Sequence, residues 1–285
     1  MQSDTKFYED YSTFMENIIS KGYARRSTTP SRGSWYIPHH GVYHPAKNKI
    51  RVVFDCSAQN EGVSLNSVLL QGPDLTNSLV AVLMRFRLEK IGIMEYIEAM
   101  YYQVQVPENQ RRYLRFLWWP NADFKNEPEE YEMCVHLFGA LSSPSCANFA
   151  LRQAATDNED KLGIETANTL RRNFYVDDLL KSCTDDDSAI GSIFKVQKMC
   201  EIGGFNLTKY ISNSRKLIES IPASKRSPSL GNMEILEPKL PIERALGVSW
   251  CIELDTFCFR INLCDTPLTR RSILSSISTY MTRLV

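Results

Sequence analysis

Phe174-Tyr175-Val176-Asp177-Asp178-Leu179-Leu180 is the stretch on which the reading of this chain turns. Two adjacent carboxylates lie between apolar arms, a pattern that predicts two short strands around an acidic turn over residues 173–183. A carboxylate pair between apolar arms is costly unless something positive sits on it, and hard divalent cations favour such oxygen ligands. Asp is also a common turn residue, and a solvent-exposed hairpin tip is the commoner use of this chemistry. On the residues of the turn alone, both readings stand.

Working outward, residues 158–171 and 145–157 read as helical before the turn. After it, Asp187 or Ser188 is expected to cap a helix with the face Ile190, Ile193, Phe194, Gln197 and Cys200, stopped by Gly203-Gly204. Short strands follow at 206–212, 245–252 and 257–262, with a helix starting at Thr269. Upstream, residues 5–21 form an amphipathic helix ahead of Gly22, 75–88 a helix and 92–106 a strand region. Residues 111–119 and 131–137 pair as a hairpin across the polar loop 121–130. Short β-like runs lie at 34–38 and 50–54. Strands and helices do not alternate regularly, so the fold class is α+β rather than a doubly wound sheet.

The chain has 285 residues, with 33 Lys+Arg against 33 Asp+Glu. That balance argues against nucleic-acid binding by bulk charge and leaves only local clustering. One cluster stands out. Residues 21–54 hold seven basic residues (Lys21, Arg25, Arg26, Arg32, Lys47, Lys49 and Arg51) and no acidic one, interleaved with Trp35, Tyr36 and Tyr43. Such a stretch suits a surface that holds phosphates and stacks bases, and equally a solvated basic edge. The eight cysteines show no CxxC pair and follow no signal segment, so free intracellular thiols are expected. No run reaches the roughly 18 apolar residues of a membrane span. A protein of the cytoplasm or an intracellular particle, without membrane partners, is the expectation. His39, His40 and His44 have no Cys partner nearby, which disfavours a zinc site.

Beyond the acidic turn, an ordered series of stretches resembles the reverse-transcriptase domain of BEL/Pao-type retrotransposon polyproteins. They are Arg51-Val52-Val53-Phe54-Asp55-Cys56-Ser57-Ala58; Ser64-Leu65-Asn66 with Leu70-Gln71-Gly72-Pro73-Asp74-Leu75; and Phe116-Leu117-Trp118-Trp119-Pro120. Further along come His136-Leu137-Phe138-Gly139 with Ser142-Ser143-Pro144, then residues 173–178, Gly203-Gly204-Phe205 with Leu207-Thr208-Lys209, and Glu243-Arg244-Ala245-Leu246-Gly247-Val248. The resemblance implies right-hand polymerase fingers and palm, the palm an antiparallel sheet packed on helices. Fingers-like parts are expected at 1–78 and 107–136 and palm-like parts at 79–106 and 137–262. Residues 263–285 would start a connection region, in a truncated copy without RNase H.

The implied activity is template-directed DNA synthesis from deoxynucleoside triphosphates on an RNA or DNA template with primer. It would use two Mg²⁺ ions, or Mn²⁺, because positioning and charge stabilisation do nearly all the work of phosphoryl transfer. By resemblance, Asp177, Asp178 and the main chain of Ile97 are metal ligands, and Lys209 is a general acid toward pyrophosphate. Lys49 and Arg51 would grip the triphosphate, Tyr101 would gate the sugar, and Phe138-Gly139 would position nucleotide and template. Tyr102 is expected to face the core.

One position departs. In the family an Asp precedes an apolar residue and Glu-Ala-Met-aromatic; here the stretch is Tyr96-Ile97-Glu98-Ala99-Met100-Tyr101. A phenol titrates near pH 10 and cannot replace a bridging carboxylate. Glu95 should face the other side of the strand, and Glu98 lies about 6.6 Å further along. The chain is therefore expected to be an inactive or crippled polymerase. The alternative is a non-catalytic nucleic-acid-binding remnant or co-opted copy.

Overall fold

The computed structural model describes residues 5–28, 30, 32–44, 49–231, 242–258 and 269–270. In chain order its elements are α1 (Thr5–Ser20), β1 (Ala24–Arg26), β2 (His39–His44), β3 (Lys49–Phe54), α2 (Leu65–Val68), α3 (Leu79–Phe86) and β4 (Ile91–Ile97). Then come α4 (Glu108–Arg111), β5 (Arg115–Trp118), β6 (Glu129–Met133), α5 (Ser143–Leu162), α6 (Ile164–Arg172), β7 (Phe174–Tyr175), β8 (Asp178–Cys183) and α7 (Asp186–Ile202). The last are β9 (Leu207–Ser212), α8 (Arg215–Ser220), α9 (Pro228–Gly231), β10 (Ile242–Ala245), β11 (Val248–Cys251) and β12 (Thr256–Cys258). The fold is α+β with antiparallel sheets, as expected.

The chain divides into two compact units, residues 1–76 with 99–153 and residues 77–98 with 154–285. These divisions place 99–106 and 137–153 with the first unit, whereas the resemblance puts them in the palm-like part.

In the first unit, β2 pairs with β3, and β6 lies between β1 and β5. Its core gathers Tyr11, Met15, Phe54, Phe116, Trp118 and Met133. The hairpin expected at 131–137 pairs earlier, with β6 starting at Glu129. Its acids interrupt an apolar pattern but are matched by cations: Glu130 by the buried Arg115 at 2.8 Å, Glu129 by Arg26 at 2.8 Å and Glu132 by Arg25 at 2.9 Å. Of the run at 34–38 only Tyr36 forms a bridge, to Arg115, and the histidine stretch after it is the strand β2. His39 is spent on structure, its ring contacting the Tyr11 hydroxyl and, at 3.0 Å, the Leu117 carbonyl.

In the second unit the sheet runs in the order β7-β8-β4-β9, all antiparallel. β4 is one of its two inner strands, and an almost unbroken apolar run buries it on both faces. On one face, Met94 and Leu180 pack with Phe86 and Trp250. On the other lies α7, whose Ala189, Ile193, Val196 and Cys200 form a stripe at helical spacing.

Several boundaries differ from the sequence reading. Helices α5 and α6 part at Gly163, whose φ of 90° suits glycine, and not at residue 158, where the Asn158 amide is satisfied by the Ala154 carbonyl. The cap of α7 is Asp185, which accepts from the Ser188 N–H at 2.8 Å. Helix α3 begins only after Asn77, whose amide instead donates to the carbonyls of Arg171 and Phe174. β4 ends at Ile97 because Ala99 is left-handed, with φ 47°. Residues 245–252 form a hairpin, β10–β11, rather than one strand. Lys47, the strand residues 259–262 and, apart from 269–270, the connection region lie outside the described residues.

Candidate functional site

The acidic turn is a two-residue loop. Tyr175 and Asp178 are paired, leaving Val176 and Asp177 at the tip. Val176 has φ 55°, a left-handed conformation that costs a β-branched residue about 1–2 kcal/mol. The tip is tied to the neighbouring strand by the Ile97 N–H, which donates to the Asp177 carbonyl at 2.8 Å. Antiparallel register then sets Tyr96 directly opposite Asp178. The strands from distant parts of the sequence thus converge, with a phenol where the resemblance calls for a carboxylate.

Tyr96 is built into the cluster. Burial, together with the charges of Asp177, Asp178 and Glu98 beside it, pushes its pKa up, so it stays neutral. The Lys209 ammonium stands 4.2 Å from the centre of its ring. This contact depends on a bulge. Between the pairs Met94 with Ile211 and Tyr96 with Thr208, one residue of β4 faces two of β9, and Lys209 takes φ 57°. In a regular strand Lys209 would leave the face opposite to Thr208; the extra residue re-aims it over Tyr96.

The Asp178 carboxyl is pushed up to about 6, first by burial, then by Asp177, with Lys209 opposing both. Glu95 faces away from the cluster, as alternation predicts, and at 3% exposure its burial holds it well above the ordinary carboxylate range. Glu98 is held by Asn206, whose amide donates to it at 2.9 Å and whose carbonyl accepts the Glu98 N–H. Neither glutamate supplies the missing oxygen ligand.

The carboxylates of Asp177 and Asp178 are oxygen donors of the kind hard cations favour. Bridging two cations needs a further carboxylate, and position 96 offers a neutral phenol instead. Among the described residues, no group of three or more His, Cys, Asp or Glu side chains is arranged to hold a metal.

In the first unit, the other candidates form two groups. Lys49 and Arg51 project from the same face of β3, both exposed, and among the described residues neither has a carboxylate partner. Tyr101 packs on Phe138 with ring centres 4.5 Å apart, and Tyr102 meets the same ring at 5.3 Å while packing on the core. Gly139 has φ 112°, and a Cβ there would lie 2.9 Å from the Phe54 carbonyl, so only glycine fits. Sequence reasoning gave Asn66 no role, yet it clamps this loop: its amide donates to the Gly139 carbonyl and its oxygen accepts the Leu141 N–H, both at 2.9 Å. The signal available was an Asn following a Ser that caps α2.

No protein-family model matches the chain, and neither does any curated protein. Solved structures do match. The foamy viral protease-reverse transcriptase in complex with double-stranded DNA is similar over 98% of this chain and 40% of its own, with a TM-score of 0.64 and 14% identity. A second structure of that protein with double-stranded DNA matches 98% of this chain and 48% of its own, with a TM-score of 0.61 and 16% identity. The native prototype foamy virus enzyme covers 73% of this chain with a TM-score of 0.52. The fold is that of a reverse transcriptase. The chain spans less than half the length of these structures. Among the described residues, no helix is long and apolar enough to cross a membrane.

Proposed function

We propose that the chain is a reverse-transcriptase-like domain of the BEL/Pao type that binds template and primer and whose polymerase chemistry is crippled at residue 96. The observation that carries this reading is the opposition of Tyr96 and Asp178 across β4 and β8, within a reverse-transcriptase fold. The register supplies the meeting of two strands that phosphoryl transfer requires, and the phenol withholds one ligand from it. Mg²⁺, or Mn²⁺, would bind through Asp177, Asp178 and the Ile97 carbonyl; when bound it supplies charge stabilisation. Of this chain's own residues, Lys209 is the proton donor the family position implies, but its ammonium is engaged by the Tyr96 ring. Lys49 and Arg51 serve the triphosphate, while Tyr101, Phe138 and Gly139 shape the nucleotide's place. Fingers-like and palm-like parts are assigned along the boundaries that the resemblance implies.

A specific observation favours the second reading, non-catalytic nucleic-acid binding. The Lys209 ammonium is seated on the neutral Tyr96 ring, an arrangement that serves packing and offers nothing to catalysis. Primer extension with Mg²⁺ or Mn²⁺ separates the two. The unaltered chain is expected to extend a primer about 100- to 10,000-fold more slowly than Tyr96→Asp. Equal and robust synthesis by both would refute the loss of function. A dead Tyr96→Asp that still binds template would favour the binding reading.

A further inference from the structure

Away from the acidic turn, the second unit holds a cleft of about 890 Å³ between α6, the start of α7, the end of α3 and the far end of β8. Lys181, which lines it, lies three residues beyond Asp178, roughly 10 Å along the strand, and its side chain leaves the opposite face of the sheet. The cleft is therefore separate from the Asp177–Asp178 cluster.

Its charge is one-sided. Arg85, Arg172, Lys181 and Lys195 line it against only Glu89 and Glu165, a local excess of two positive charges in a chain with none overall. Among the described residues none of the four cations makes an ion pair. Lys181 donates only to the Thr169 hydroxyl, at 3.2 Å, and Arg85 to the Arg172 carbonyl. The Arg85 Nε is buried without a hydrogen-bond partner. Burial first, and then the neighbouring Arg172, push the Arg85 pKa down.

The remaining chemistry narrows the ligand. No aromatic side chain lines the cleft, so it offers no platform for stacking bases. The hydroxyls of Ser188 and Ser192 and the amide of Asn168 add polar groups to the lining, while the Ser182 hydroxyl donates to the Arg85 carbonyl at 2.8 Å. Guanidinium, ammonium and hydroxyl donors without rings recognise phosphate oxygens irrespective of base.

We propose that this cleft binds the phosphates of a nucleic-acid strand. The phosphate chemistry stands by itself; the choice of a strand over a small polyphosphate rests on the proposed function. The test uses the full chain and a labelled oligouridylate followed by fluorescence anisotropy at several salt concentrations, with tripolyphosphate binding followed by calorimetry. Arg172 and Lys195 are exposed, so the double variant Arg172→Glu with Lys195→Glu should fold. It is expected to lose about tenfold or more in oligouridylate affinity and to flatten the salt slope by about 1.4. Should it misfold, Glu165→Gln at the rim serves instead and is expected to tighten binding about threefold.

Lost tripolyphosphate binding with unchanged oligouridylate affinity would keep the phosphate site and assign it to a small polyphosphate. Unchanged affinity for both probes, or equal displacement by polyglutamate, would overturn the proposal. A loss of oligouridylate affinity confined to Arg51→Ala would overturn the cleft while leaving the proposed function standing.

Discussion

At the scale of the residue, Asp178 reports the state of the acidic cluster. Its pKa is raised in the folded chain to about 6, so the folded state holds the proton more tightly than the unfolded one. Stability is then greatest below the unfolded carboxylate's titration near pH 4 and falls as pH rises through about 6. Asp178→Asn is expected to make that slope shallower, the remainder belonging to buried Glu95, which denaturant unfolding between pH 4 and 7 would show. A divalent cation needs the ionised form, so its affinity should rise over the same window. The neutrality of Tyr96 could be anticipated from its side chain alone. Its place opposite Asp178 and beneath Lys209 could not, because it follows from register.

At the scale of the element, legibility followed how local the deciding interaction was. The strands around the acidic turn and the helix after it were readable, since apolar spacing and Gly203-Gly204 lie in the sequence itself. The cap was misplaced by two residues because Asp185, Asp186 and Asp187 are equivalent on composition, and only the turn geometry selects the first. Asp185→Ala is expected to destabilise the second unit by about 1 kcal/mol, measured by urea unfolding, while Asp187→Ala loses only the surface pair with Lys216 and should change little. Strand β6 was displaced in the reading because its acids are paid for by arginines from other strands, a long-range match that no window of sequence contains. The bulge in β9 was invisible for the same reason: nothing in Leu207-Thr208-Lys209-Tyr210 announces a left-handed lysine.

At the scale of the whole molecule, zero net charge conceals a division along the chain. Basic residues prevail over 21–54, whereas the paired carboxylates sit at 177–178. Nucleic-acid binding should therefore be local and steeply weakened by salt. Neutralising both Lys49 and Arg51 is expected to reduce the slope of log affinity against log salt by about 1.4 on a single strand, read by anisotropy titration. An unchanged slope would remove these residues from the interface. The fold was legible here through the order of its motifs, and the division into two units was not, because it depends on which segments pack together.

The stacking of Lys209 on Tyr96 also bears on how the chain can change over generations. A trio of carboxylates around one lysine is held together only when metal is present, and a fold carrying it gives up stability for activity. With a phenol at position 96 that conflict is smaller: two carboxylates rather than three share Lys209, whose ammonium also rests on the ring. Return to Asp would thus cross a state less stable than the present one, so the substitution works as a ratchet, and selection for folding alone would keep it in place.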